Sequence, residues 1–261
     1  MHVSGSIEVE TAEVLAWVEA QLPAQGKGLR VLEVGCGPGH LAVQLLQRGV
    51  QLTAIDSSEE QVAQARELGV PAIASDFLSF SGGGFDGVLF TRSLHHIHPL
   101  EEATRKIRQL LEPGGRVLAD EFAHEEMDRA TATWFWDLQA VLEEAGALAP
   151  DVPRHHHGHG GHAPHASSTL ADPLERWRER HVHDPPLHDA RSLVAALGSS
   201  FEITSEQRVP YLHRYFSDRL EDSDRGTKIF LRLRELERLR IRQGLLRSIG
   251  LRIGAVHADG R

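Results

Sequence analysis

Two adjacent imidazoles, His95 and His96, follow the mostly apolar run Phe85–Phe90, and two adjacent carboxylates, Asp120 and Glu121, end the run Arg116–Ala119. An imidazole oriented by a carboxylate can take a proton from a hydroxyl as that oxygen attacks an electrophile. Because the histidines are neighbours, at most one is expected to face a pocket, the other packing under the helix that begins near Pro99. A second set of residues suits a nucleotide. The run Val31–His40 carries a buried-strand pattern straight into Gly35, Gly37 and Gly39, and Leu41, Ala42, Leu45 and Leu46 then follow with helical spacing. Glycines permit the tight turn and a close backbone approach, and a helix N-terminus behind them presents unpaired amides. Asp56 ends the run Gln51–Ile55, where its carboxylate could accept two O–H donors at once. Ser57-x-x-Glu60 reads as the capping box of the next helix, to about Leu68, which leaves Asp56 available. Asp76 follows a third short run, Pro71–Ala74, as a turn residue or as a ligand acceptor.

These residues need elements to hold them. Five apolar runs alternate with helical patterns from Leu29 to Ala119, and the turn Leu111-Glu-Pro-Gly-Gly115 fixes a reversal before the fifth. Strands alternating with helices predict a doubly wound parallel sheet, with ligands beyond the carboxyl ends of the strands. All the polar residues named above fall there. A leading amphipathic helix is expected over Glu8–Leu22, ended by Pro23. Later come a helical stretch over Glu125–Ala147, a break over Pro150–Pro186, a helix near Asp189–Leu197 and strands at Phe201–Tyr211 and Ile249–Val256.

The run Glu33-x-Gly35-Cys36-Gly37-x-Gly39 resembles the first motif of class I S-adenosylmethionine-dependent methyltransferases, and the resemblance extends over most of residues 29–122. A dinucleotide fingerprint would instead place its third glycine at position 40, which is His40. The resemblance implies an α/β, Rossmann-like, mostly parallel sheet with a late antiparallel hairpin. It also implies one domain over residues 1–261, with a helical cap insertion at 124–190. The implied cofactor is S-adenosylmethionine, leaving as S-adenosylhomocysteine. Glu33, Gly35, Cys36, Gly37, Gly39, His40, Asp56, Ser57, Asp76, Phe77 and Arg92 would bind it. Asp56 would take the ribose hydroxyls, Asp76 the adenine amino group, and the amide after Asp76 would meet the ring. The run Ser93-Leu94-His95-His96-Ile97 resembles that of small-molecule O-methyltransferases, which makes His95 or His96, with Glu121 or Asp120, the catalytic candidates. Thr91-Arg92-Ser93-Leu94 stands where methyltransferases of nucleobases and glutamine amides carry Asn/Asp-Pro-Pro-Tyr, which points to small metabolites. Trp134 and Trp136, in the cap, would either touch substrate or fill core. The expected activity is therefore methylation of a small acceptor, at a hydroxyl with a histidine base. The alternatives are a non-catalytic S-adenosylmethionine- or metal-binding protein on the same fold, and N- or C-methylation by proximity alone.

Composition narrows the rest. A chain of 261 residues with 41% hydrophobic content can bury a sizeable core. The net charge of −9 disfavours nucleic-acid binding, which relies on phosphate neutralisation. No apolar run reaches membrane-spanning length, and Met1–Ser6 carries no signal-peptide core, so a cytoplasmic setting is expected. The lone cysteine, Cys36, fits a reducing compartment. Between Arg225 and Arg252 arginines dominate, interleaved with Ile229, Leu233, Leu236, Leu239 and Leu246. This reads as an amphipathic helix or helices with a solvated basic face or, more sharply, a surface for a polyanionic substrate or an acidic partner. The histidine-rich loop at 154–165 could bind metal adventitiously, glycines keeping it from preorganising a site; no catalytic metal is expected.

Overall fold

A computed structural model describes residues 5–23, 27–149 and 172–258. The histidine-rich loop at 154–165 lies outside the described residues. Seven strands form one sheet in the order β3-β2-β1-β4-β5-β7-β6. They are β1 (Arg30–Val34), β2 (Gln51–Asp56), β3 (Ala72–Ala74), β4 (Phe85–Thr91), β5 (Leu111–Phe122), β6 (Glu202–Val209) and β7 (Gly250–Val256). The first five run parallel, and β7 is antiparallel to both of its neighbours. The expected late hairpin is therefore present, its two strands separated in sequence by a long helix.

Helices cover both faces. On one, α1 (Gly5–Gln21), α2 (His40–Gln47) and α3 (Glu59–Glu67) bury Val14, Leu15, Val18, Leu41, Leu45 and Val62 against Val31, Leu89 and Leu118. On the other, α4 (Leu100–Leu110) and α7 (Ala190–Ser200) close over Phe90, Val117, Ala119 and Ile253. A third cluster joins α5 (Arg129–Glu144), α6 (Pro173–Arg180) and α8 (Asp224–Arg242) through Phe135, Trp136, Trp177, Phe216 and Phe230. Short polar side chains start these helices: Asp128 accepts from Thr131 N, Asp172 from Leu174 N and Glu175 N, Asp189 from Ser192 N, and Ser223 from Gly226 N.

Several boundaries move. The expected helix over Glu125–Ala147 is a short 3₁₀ turn, His124–Glu126, followed by α5, because Asp128 caps a fresh start. The cap of α3 is Ser58, which accepts from Gln61 N, and not Ser57, which is exposed. The arginine-rich segment folds as α8, whose buried stripe includes Glu237 while Leu239 stays exposed. Glu237 accepts from the amides of Tyr211, Leu212 and His213 and from His213 Nδ1, so it fastens the 3₁₀ turn Leu212–Phe216. Part of the basic face is spent on the molecule itself, since Arg234 and Arg238 both reach Glu13 on α1. No helix among the described residues is long and apolar enough to cross a membrane.

Candidate active site

The carboxyl ends of β1, β2, β4 and β5 meet at one edge of the sheet, and most of the expected site residues lie there. β1 leads into Gly35, Gly37 and Gly39, all at positive φ. Gly35 is required twice over. Its φ is +71°, and a Cβ there would sit 2.5 Å from Ser93 Cβ. Ser93 in turn donates from Oγ to Val34 O at 2.6 Å, which ties the exit of β4 to the exit of β1. Asp56 is buried at the end of β2, where Oδ2 accepts from Gly37 N and Oδ1 from Ser58 N, both at 2.9 Å. Its carboxylate thus shapes the glycine turn.

Glu33 is buried beneath that turn, and its Oε2 has no hydrogen-bond partner. Burial, and then the charge of Asp56, push its pKa up to about 8, so at neutral pH it is mostly protonated and able to donate. Burial also pushes the Cys36 thiol up, which makes it a poor nucleophile. His40 opens α2 with Nδ1 unpartnered; burial lowers its pKa. Asp76 is exposed and accepts from Leu78 N and Ser79 N, so one of its oxygens serves its own turn. The Phe77 side chain points into the core against Phe90.

The exit of β4 is held from three sides. Arg92 is the one non-glycine among the described residues at positive φ (56°), and its N donates to Asp120 O at 2.9 Å. Ser93 N and Leu94 N both donate to Glu121 Oε1, at 3.1 and 2.8 Å. Glu121 Oε2 meets His95 Nδ1 in a short contact. Glu121 therefore positions the loop and the imidazole together. His95 is almost fully buried, with the His96 ring 4.2 Å away and the Phe122 ring edge-on at 5.0 Å. His96 is half-buried and its ring lies 5.4 Å from that of His183. Burial, and then neighbouring His124, His183, Arg92 and His188, push His95 down to about 3, while burial pushes Glu121 up to about 8. Both directions favour neutral partners.

Asp120 is turned away from this pair. Successive side chains of β5 alternate faces, and Asp120 faces Arg252, its register partner on β7, and Arg214. It accepts from Arg252 Nε at 2.6 Å and from Arg214 Nη1 at 2.5 Å. Trp136 and Trp134 belong to the packing between α5 and α6. Trp136 Nε1 donates to Pro173 O, Arg176 lies 4.0 Å over its ring, and Trp134 is half-buried in the same cluster.

The sequence reading missed a ring cluster beside His95. The rings of Trp177, on α6, and His181, at its C-cap, lie 4.2 Å apart and tilted, and Phe122 lies 5.7 Å from His181. Burial pushes His181 down to about 3, so its imidazole is neutral; Nδ1–H donates to Trp177 O, which leaves Nε2 to accept from the Tyr215 hydroxyl 2.8 Å away. Trp177 and His181, with His124, Met127 and Leu174, line a cavity of about 250 Å³. The spacing Trp-x₃-His was the available signal. Among the described residues no group of three or more His, Cys, Asp or Glu side chains could hold a metal ion.

Residues 8–197 match a family described as a methyltransferase domain. A ubiquinone biosynthesis O-methyltransferase of Caulobacter sp. (strain K31) is 35% identical over 101 residues, covering 35% of this chain and 40% of that protein. A protein described as an S-adenosyl-L-methionine-dependent Diels-Alderase, iccD of Talaromyces variabilis, is 32% identical over 129 residues, 45% of this chain and 41% of its own. The chain thus spans about two fifths of each of these two curated relatives. An S-adenosylmethionine-dependent methyltransferase structure from Mesorhizobium loti superposes with a TM-score of 0.55 over 92% of this chain and 96% of that one, at 18% identity. That likeness is one of fold.

Proposed function

The chain belongs to the class I S-adenosylmethionine-dependent methyltransferases, and from that premise we propose that it methylates a small molecule at a hydroxyl, with His95 as general base. The observation that carries the reading is the buried Glu121–His95 pair at the exit of β4, beside the glycine turn. The residues present fit the cofactor. A glycine cradle that a Cβ would fill, a strand-end carboxylate at Asp56 and an orphaned buried oxygen on Glu33 together suit a ligand with ribose hydroxyls and polar edges. Asp56 would hold the ribose, Gly35–Gly39 would approach the amino-acid portion, and Asp76 with the Phe77 amide would meet the adenine. Bound there, the cofactor supplies an electrophilic methyl group.

The protein's part is alignment, exclusion of water and, for a hydroxyl, removal of a proton. In the competent form Glu121 is ionised and accepts from His95 Nδ1–H, which leaves Nε2 to take the acceptor's proton. The two amides donated to Glu121 Oε1 favour that ionised form against the cost of burial. His96 lies farther out and is half-buried. Its expected role is in packing against His95 and His183.

The test is release of S-adenosylhomocysteine across a library of hydroxylated metabolites, repeated with His95→Ala. Turnover on the responding acceptor should fall by about 10²–10⁴ while S-adenosylhomocysteine binding is unchanged. Full turnover in both His95→Ala and His96→Ala would instead favour an amine or carbon acceptor aligned by proximity. Tight cofactor binding with no release for any acceptor would favour a non-catalytic binding protein.

A further inference from the structure

On the α1 face of the sheet, Thr91, Asp120 and Arg252 stand in one row across β4, β5 and β7. Arg214 reaches into this row from the 3₁₀ turn after β6, and Trp17 covers it from α1, with Arg252 Cζ 5.3 Å from the Trp17 ring. Two buried guanidiniums share the single carboxylate of Asp120. Glu121 is committed on the opposite face, Glu13 answers Arg234 and Arg238, and Glu10 answers Arg92 at 3.2 Å. The row therefore holds one positive charge more than it balances. Its hydrogen bonds are short in the same sense. Arg214 Nε and Nη2, Arg252 Nη2 and Trp17 Nε1 are buried donors with no acceptor, and Thr91 Oγ1 is buried without a partner. Unpaired buried donors and an unbalanced buried charge are each costly, and one anion would answer both.

We propose that Arg214 and Arg252, with Trp17 and Thr91, form a binding site for a carboxylate, and that the acid group of the methyl acceptor occupies it. This deepens the hydroxyl-methylation reading and rests on it: the acceptor is a hydroxylated carboxylic acid. A guanidinium presents paired donors that match the two oxygens of a carboxylate. The rings of Tyr211, under Arg214, and of Phe122, stacked on Tyr211 at 4.9 Å and edge-on to His95, lead from the arginines to the base. Arg92, with its side chain 46% exposed, stands at the open end of the row as the point of entry.

The amino-acid carboxylate of the cofactor has the same chemistry, so the experiment separates the two sources. Benzoate, and benzyl alcohol as its uncharged counterpart, are titrated calorimetrically into protein saturated with S-adenosylhomocysteine. Wild type is compared with Arg214→Lys, which keeps a cation for Asp120 and removes the orphaned donors. The expected result is benzoate binding to wild type at least about tenfold tighter than benzyl alcohol, a loss of about tenfold or more in Arg214→Lys, and S-adenosylhomocysteine affinity unchanged within about twofold. If Arg214→Lys does not fold, Trp17→Phe removes one neutral donor and should weaken benzoate by about fivefold. Benzoate binding no better than benzyl alcohol, or unaffected by the variant that folds, overturns the site. Benzoate that competes with S-adenosylhomocysteine, in a variant that binds the latter about tenfold more weakly, overturns the assignment to the acceptor and gives the site to the cofactor's carboxylate. Benzoate binding needs no proton transfer, so His95→Ala leaves it intact, and failure of the base reading is seen separately.

Discussion

Neighbours in sequence, Asp120 and Glu121 do opposite work, and single substitutions should separate them. Asp120→Ala leaves two buried guanidiniums unpaired and should cost about 3–5 kcal/mol of stability, read from denaturant unfolding. Glu121 titrates instead. Burial holds its carboxyl up to about 8, above its ordinary 4.5, so the folded state binds a proton that the unfolded state releases between those values. Its contribution to stability is therefore present below pH 4.5 and lost as pH rises towards 8, a slope that Glu121→Gln should abolish. His95, pushed down to about 3 from 6.5, adds the reverse slope, losing stability as pH falls through that window. With His95 as the proposed base, turnover should follow the ionised carboxylate. Activity on a hydroxyl acceptor should rise with pH through about 8 and then level, and a flat profile from pH 6 to 9 would remove the base. At the glycine turn, Asp56→Ala takes away the acceptor of Gly37 N as well as the proposed ribose partner, and should weaken S-adenosylhomocysteine by about 1.5–3 kcal/mol in calorimetry.

Turns and strand ends are where the sequence speaks most clearly, because their signals are local. Strand, glycine turn and helix at Val31–Leu46 could be read directly, as could the strand-end acids, since each needs only its own few residues. Gly35→Ala tests that reading. It forces a left-handed φ on alanine and a Cβ against Ser93, and should cost about 1–3 kcal/mol of stability and loosen cofactor binding. What stayed hidden depends on partners far along the chain. Strand alternation says that Asp120 and Glu121 face opposite ways, but which of them meets the histidine is decided by β7 bringing Arg252 opposite Asp120. Arg214 gave no local sign of its role, because the contact closes over more than ninety residues. The tryptophans of α5 left core and substrate open, and Pro173 and Arg176, on a helix beyond the break, supply the contacts of Trp136. Glu237 broke the apolar stripe of α8 for a reason visible only once residues 211–213 lay beside it.

At the scale of the molecule, α1 joins the sheet to α8: it packs Val14, Leu15 and Val18 on the sheet and offers Glu13 to α8. Leu15→Ala should therefore cost about 2–5 kcal/mol in global unfolding, with the site affected through Glu10 and Trp17 on the same helix. The sheet order has a consequence in time. Because β7 inserts between β5 and β6, β6 has no neighbour to pair with until residues 250–256 have been synthesised. A ribosome delivering this chain presents five parallel strands early, with β5 as an open edge, and holds that edge uncovered while more than a hundred further residues emerge. Asp120 waits through the same interval for Arg252. Nascent chains arrested before Gly250 should accordingly be protease-sensitive and fail to retain S-adenosylhomocysteine, whereas release of residues 250–256 from the tunnel should confer both protection and binding in one step.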